Sequence, residues 1–138
     1  MPNLVRMSFS IEEPLLKKFE KILKERSNSN RSEFVRDLIR DQLVQDEWQR
    51  NEEALGTITL IYNHQARQLN DRLIEVQHHH HDAILATTHV HLDEHTCAEM
   101  IMVRGKASEI RHIADALQDQ KGVLHTALSM SSTGKKLS

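Results

Sequence analysis

The stretch "LVRMSFSI" at residues 4–11 decides how the N-terminal part of the chain folds. From Val5 onward it alternates, with Val5, Met7, Phe9 and Ile11 on one side and Arg6, Ser8 and Ser10 on the other. That period of two belongs to an amphipathic β-strand. No second strand lies near it in sequence, and a two-stranded ribbon is marginal even when closed, so this strand must pair outside its own unit. Another copy of the chain is the simplest partner.

Working outward, "EEPLLKKFEKILKER" places Leu15, Leu16, Phe19, Ile22 and Leu23 on one helical stripe, with acids and Pro14 in the first turn. "SNSN" breaks that helix, and Asn28 tolerates a left-handed cap. Asn30 with Glu33 then forms a capping-box-like start for "RSEFVRDLIRDQLVQDEW", where Phe34, Val35, Leu38, Ile39 and Leu43 repeat the stripe. Strand, helix, turn and helix in about 45 residues bury too little for a monomer, so dimerisation is again implied.

The pattern changes after the polar, glycine-ended segment 49–56, "QRNEEALG", which reads as a linker between an N-terminal unit, 1–48, and a second unit, 57–131. "TITLIY" is a β-rich run, and "NHQARQLNDRLIEVQH" a helix with Asn63 as its cap. "AILATTHVHL" and "CAEMIMVRG" are strands around a polar turn. "SEIRHIADALQDQKG" is a helix stopped by Gly122, and "VLHTALSM" is a final strand. The fold class expected is α+β, the second unit being a βαββαβ ferredoxin-like arrangement. Residues 132–138 read as a flexible tail.

Composition narrows the function classes. Apolar runs fall far short of a membrane span and the N-terminus lacks a signal-peptide pattern, so a cytoplasmic protein with no membrane partner is expected. Net charge is −2, and residues 1–50 hold ten Lys and Arg against nine Asp and Glu, so any affinity for DNA must rest on where charges sit.

Residues 76–100, "VQHHHHDAILATTHVHLDEHTCAEM", contain seven of ten histidines and the lone cysteine. The run at 78–81 is internal, which excludes a terminal purification tag. In a strand, His89 and His91 point to one face, and Val90 then faces the core. If Cys97 sits opposite His91, residues 92–96 form a five-residue hairpin that brings the thiolate beside both imidazoles, whereas a slip of one residue turns Cys97 away. A fourth donor comes from the run 78–81, in the same chain or a neighbour. Imidazole and thiolate suit nickel, copper or zinc and exclude magnesium and calcium. His64, His95, His112 and His125 are assigned surface or capping roles. Catalysis is not expected: no oxyanion donor or paired carboxylate accompanies Cys97, and three histidines with one cysteine fill a four-coordinate site.

The order of strand "RMSFSI", amphipathic helix and "NRSEFVRDLIR" resembles the ribbon-helix-helix DNA-binding fold, and "HHHHD", "HVH" and "DEHTC" at these spacings resemble nickel-responsive transcriptional regulators. The resemblance covers nearly the whole chain. It departs in "ERSNSNRSE", which lacks the Gly-Tyr common between the two helices in that family. The resemblance implies an intertwined dimer whose paired strands enter the major groove of operator DNA, with Arg6, Ser8 and Ser10 facing bases and Asn30, Arg31 and Ser32 near a phosphate. It further implies an ACT-like second unit that assembles a homotetramer, a dimer of dimers. Nickel(II), one ion per subunit, would be bound in a square plane by His89, His91 and Cys97 of one subunit and His78 of another. Gln77 and Glu99 are the candidates for hydrogen bonds that orient the ligands. The implied function is nickel-dependent repression of transcription, with nickel uptake genes as the targets. The competing reading is a structural zinc or metal-storage protein whose ribbon only dimerises.

Overall fold

A computed structural model describes residues 3–26 and 30–138. The turn containing Asn28 lies outside the described residues. Residues 3–12 form no hydrogen-bonded strand within the single chain, and Leu4, Val5, Met7 and Phe9 are 64–89% exposed. Within the single chain this apolar row lies on nothing.

Helix α1 spans Glu13–Glu25 and α2 spans Arg31–Gln49. The Asn30 side chain accepts from the Glu33 N–H (3.2 Å), so the cap expected from sequence forms. Phe19 meets Phe34 edge to face at 5.2 Å, and the Arg26 guanidinium lies 4.6 Å from the Phe34 ring centre, which seats α1 on α2. Leu15, Ile22, Leu38, Ile39 and Leu43 nevertheless remain 38–54% exposed. One chain thus covers only part of its own apolar stripe.

Strand β1 spans Glu53–Asn63, starting four residues before the expected Thr57 and inside the segment read as linker. Ala54, Gly56, Ile58, Leu60 and Tyr62 alternate inward. Gly56 looked like a loop terminator, but a Cβ there would lie 2.9 Å from Ile110 Cγ2, so glycine is required for close packing under a helix. Helix α3 spans Leu69–His79 and starts later than expected, because the Asn63 side chain accepts from the Gln65 N–H (2.9 Å) and closes a turn instead of capping a helix. Strands β2 (Ile84–His91) and β3 (Thr96–Lys106), helix α4 (Ala107–Gln118) and strand β4 (Val123–Ser131) complete the unit. α4 ends at Gln118, four residues before Gly122, which takes φ +104° in the turn to β4.

The antiparallel sheet has the order β2-β3-β1-β4, the βαββαβ pattern read from sequence. Its core packs Ile58, Leu60, Ile101 and Val103 with Leu69 and Leu73 of α3 and Ile110, Ile113 and Leu117 of α4. Trp48, in the last turn of α2, joins this core and donates its indole N–H to the Ser131 carbonyl at 2.8 Å. Val90 does not face the core: it is 47% exposed. Tyr62 and Cys97 are register partners on the buried face of β1 and β3, and His91 is the partner of Cys97, so the odd-numbered histidines share that face and Val90 takes the other.

The tail, expected to be a flexible segment, makes contacts with the body of the chain. Lys136 pairs with Glu52 (3.0 Å), Lys135 with Glu53 (3.8 Å), and Arg40 Nε donates to the Leu137 carbonyl (3.1 Å). These partners are distant in sequence and invisible to a local reading. Among the described residues, no helix is long and apolar enough to cross a membrane.

Candidate metal centre

The site begins with a turn. Asp93 Oδ1 accepts from the backbone N–H groups of His95 and Thr96, both at 2.8 Å, and Leu92 N–H donates to the Thr96 carbonyl at 2.9 Å. These same bonds, the His95 amide foremost, hold the Asp93 carboxyl below the usual range. The closed turn fixes a register in which His91 faces Cys97 and His89 faces Glu99. Across β3, Cys97 faces Tyr62 of β1. Tyr62, Cys97 and His91 therefore form a row across three strands on the helix-covered face.

Cys97 is buried, and its Sγ lies 3.2 Å from His91 Nδ1 and 3.5 Å from His64 Nδ1. The ligand atoms of His64, His91 and Cys97 all fall within 4.8 Å of one another. Burial pushes the thiol pKa up, and the nearby charges of Asp93 and Glu99 add to that. The thiol form is thereby favoured, so an incoming cation must displace its proton to gain a thiolate ligand.

His89 stands beside this group, its ring centre 5.1 Å from that of His91, with Nδ1 hydrogen-bonded to the Tyr62 hydroxyl at 3.0 Å. Burial, then the charges of Glu99 and Cys97, push the Tyr62 pKa up to about 12. The hydroxyl thus keeps its proton and can orient the imidazole by donating to Nδ1 or accepting from it. Glu99 is buried opposite His89, and desolvation pushes its carboxyl pKa up, against the lowering effects of the Gln77 hydrogen bond and His89. Gln77 Nε2 donates to Glu99 (3.4 Å) while Gln77 Oε1 accepts from Thr87 (3.1 Å), which ties the last turn of α3 to the strands next to His89. His78, one residue further, is exposed and stacked on His81 with ring centres 6.0 Å apart. The single chain brings His91 and Cys97 together, sets His89 alongside, and leaves His78 pointing elsewhere.

Two neighbours of the donor group were not singled out in the sequence. His64 was assigned a surface role, yet its N–H donates to the His95 carbonyl (2.6 Å), pinning it over the hairpin tip. Tyr62 was counted only as part of a β-rich run. Both follow from the β1–β3 register, which places residue 62 opposite Cys97, and a single sequence carries no signal for that pairing.

Toward the N-terminus, Arg6, Ser8 and Ser10 are exposed, as are Asn30, Arg31 and Ser32 at the start of α2. Arg31 pairs with Glu20 of α1 at 2.8 Å, so part of its charge is engaged between the helices. Asn30 serves as the cap.

Comparison with known proteins adds identity to this geometry. Residues 55–131 match the family described as NikR C terminal nickel binding domain, and residues 5–46 match ribbon-helix-helix protein, copG family. A protein of Geotalea uraniireducens named for nickel-responsive regulation is 49% identical over 138 residues, covering 99% of each chain. One of Pyrococcus abyssi with the same name is 50% identical over 136 residues, covering 98% of this chain and 99% of the relative. Among solved structures, an uncharacterized protein from Thermotoga maritima superimposes with a TM-score of 0.52 at 14% identity, over 57% of this chain and 98% of its own, a likeness of fold alone.

Proposed function

Because the chain belongs to the nickel-responsive regulators, built from a ribbon-helix-helix unit and a nickel-binding domain and acting in transcription regulation rather than catalysis, we propose that it binds operator DNA when nickel-loaded and represses transcription, with nickel uptake genes as the targets. The observation that carries this reading is the thiol of Cys97 held 3.2 Å from the His91 imidazole by a closed hairpin, in a chain whose other end is a DNA-binding fold. The operator lies in the cytoplasm, where the protein is placed by this reading.

The residues present fit nickel by donor chemistry, since a thiolate with imidazoles is a set that nickel accepts and hard cations refuse. His89, His91 and Cys97 would hold the ion, with His78 from another subunit as the fourth ligand and one ion for each chain. Bound there, nickel supplies a link between subunits. Gln77 and Glu99 would orient the set, because together they connect the end of α3 to the strand position opposite His89. Assembly into a dimer of dimers is supported by the face of the sheet that carries no helix, where Val90, Met100 and Met102 are 41–49% exposed. Dimerisation through residues 4–11 would set Arg6, Ser8 and Ser10 toward base edges, with the first-turn N–H groups of α2 near Asn30, Arg31 and Ser32 available to a phosphate. Nickel can favour DNA binding only by binding the DNA-competent arrangement more tightly than the others.

The test uses metal-free full-length chain and duplexes selected from a random pool by the nickel-loaded chain. Nickel is expected to raise affinity for the selected sequence by about 5- to 150-fold, the usual span of a coupling energy, and the same DNA must tighten nickel binding by the same factor. Equal DNA binding with and without nickel would contradict regulation and favour a structural zinc or storage role.

A further inference from the structure

We propose that residues 132–138 strap the two units of the chain together, with Lys135 and Lys136 seated on Glu53 and Glu52 beside the buried Glu47, and that the closed strap carries part of the nickel response to the DNA-binding unit. The last clause rests on the regulatory reading above. The strap itself does not, because its contacts lie at the Glu53 end of β1, the opposite end from Tyr62 and Cys97.

The two units meet where α2 runs out. Glu47 and Trp48 lie in its last turn, and a bend through Asn51 (φ 56°) leads into β1 at Glu53. That bend is bonded to the second unit. Asn51 Oδ1 accepts from the Ser108 N–H at 2.7 Å and the Glu52 carbonyl from the Ala107 N–H at 3.2 Å, so the junction supplies the cap that Lys106 does not give α4. Glu47 is 5% exposed, and among the described residues its Oε2 has no hydrogen-bond partner. A carboxylate buried in that condition is costly and draws positive charge toward it. It lines a cavity of about 180 Å³ with Glu52, Glu53, Thr133, Lys135 and Lys136. Both lysines come from the tail: Lys136 pairs with Glu52 and Lys135 with Glu53, whose other oxygen accepts from Arg104 at 2.7 Å. Among the described residues, Glu47 alone of the three acids has no ion pair of its own.

The segment on either side of the lysines is fixed to α2. Before them, Trp48 holds the Ser131 carbonyl at the end of β4. After them, Arg40 holds the carbonyl of the half-buried Leu137. Between these points Gly134, at φ +82°, donates its N–H to Ser132 Oγ, and its carbonyl accepts from the Leu137 N–H, which folds the segment into a turn. The path therefore runs from the sheet, across the junction, to the middle of α2. Both lysine side chains are 67% exposed, and such ion pairs are weak singly. Closure from the fixed Ser131 costs little loop entropy, so several weak contacts acting together leave the strap near balance between closed and open. An element with two arrangements close in energy is what two sites need in order to bias each other.

The experiment compares the full-length chain with one ending at Ser131 and with the double variants Lys135→Glu/Lys136→Glu and Lys135→Arg/Lys136→Arg. Amide hydrogen exchange is read at residues 51, 52, 107 and 108, beside nickel affinity and the nickel-dependent gain in affinity for the selected duplex. Truncation and the Glu pair are expected to speed exchange at the junction by at least about tenfold. They are also expected to cut the nickel-dependent gain by about 2- to 30-fold, the span for changes along a coupling element, with nickel affinity in the absence of DNA unchanged. The Arg pair, which keeps both charges, should match the unaltered chain. Junction exchange unchanged by truncation would overturn the strap, and faster exchange with an undiminished gain would overturn its part in the response. An unaltered chain whose DNA binding ignores nickel would contradict the regulatory reading instead, while the exchange comparison would still decide the strap. Because Lys135 and Lys136 are exposed, circular dichroism should show the variants folded.

Discussion

Replacing Cys97 with alanine is expected to abolish tight nickel binding while leaving the fold in place. Four-ligand thiolate and imidazole zinc sites of the zinc-finger kind gain about 10–16 kcal/mol from their ion, or roughly 2.5–4 kcal/mol per donor, and a loss of that size here corresponds to about 10²–10³ in affinity. The structural cost is small by comparison. Cys97 is buried, but the change removes a single sulfur from a position flanked by Tyr62 on one strand and His91 on the other, and the contacts of that sulfur are with the side chains of His91 and His64. Nickel titration followed by the sulfur-to-nickel absorption band, beside a denaturation curve, separates the two effects. Unchanged nickel affinity would remove Cys97 from the ligand set.

The second large effect is expected at Trp48, far from the metal donors. This indole is 2% exposed, lies against Gly56, and has the Arg111 guanidinium 5.4 Å from its ring centre. It also satisfies the Ser131 carbonyl. Trp48→Ala would leave a cavity and an unpaired acceptor, for a combined loss of about 3–5 kcal/mol in unfolding free energy. Urea denaturation of the metal-free chain measures it. Because Trp48 ends α2 and sits in the core under the sheet, the substitution is also expected to loosen the link between the two halves without altering nickel affinity. A loss below about 1 kcal/mol would show that the indole is not an anchor.

How far the sequence revealed this depends on the range of the interaction. The capped start of α2 was legible because Asn30 and Glu33 are three residues apart, and that spacing is the cap itself. The βαββαβ order was legible from alternation and turn residues. The meeting of His91 with Cys97 needed only the length of the hairpin, although the device that fixes it, Asp93 bonding two amides, went unread. By contrast, Gly56 was taken for a loop ending because its meaning depends on Ile110, far along the chain. His64 was set aside because only the pairing of β1 with β3 carries it to the sulfur. The tail residues Lys135 and Lys136 looked unattached for the same reason, their carboxylate partners lying across the sequence. The apolar row from Val5 to Phe9 was read as needing an outside partner, and in the single chain it is exposed.

In the proposed sensor, one nickel ion would be gripped by the Cys97 sulfur together with imidazoles drawn from two subunits. X-ray absorption at the nickel edge of fully loaded full-length chain measures that shell directly. The expected spectrum shows one sulfur and three nitrogen neighbours, with one nitrogen lost in His78→Ala. A shell of nitrogen and oxygen only, without sulfur, would contradict it.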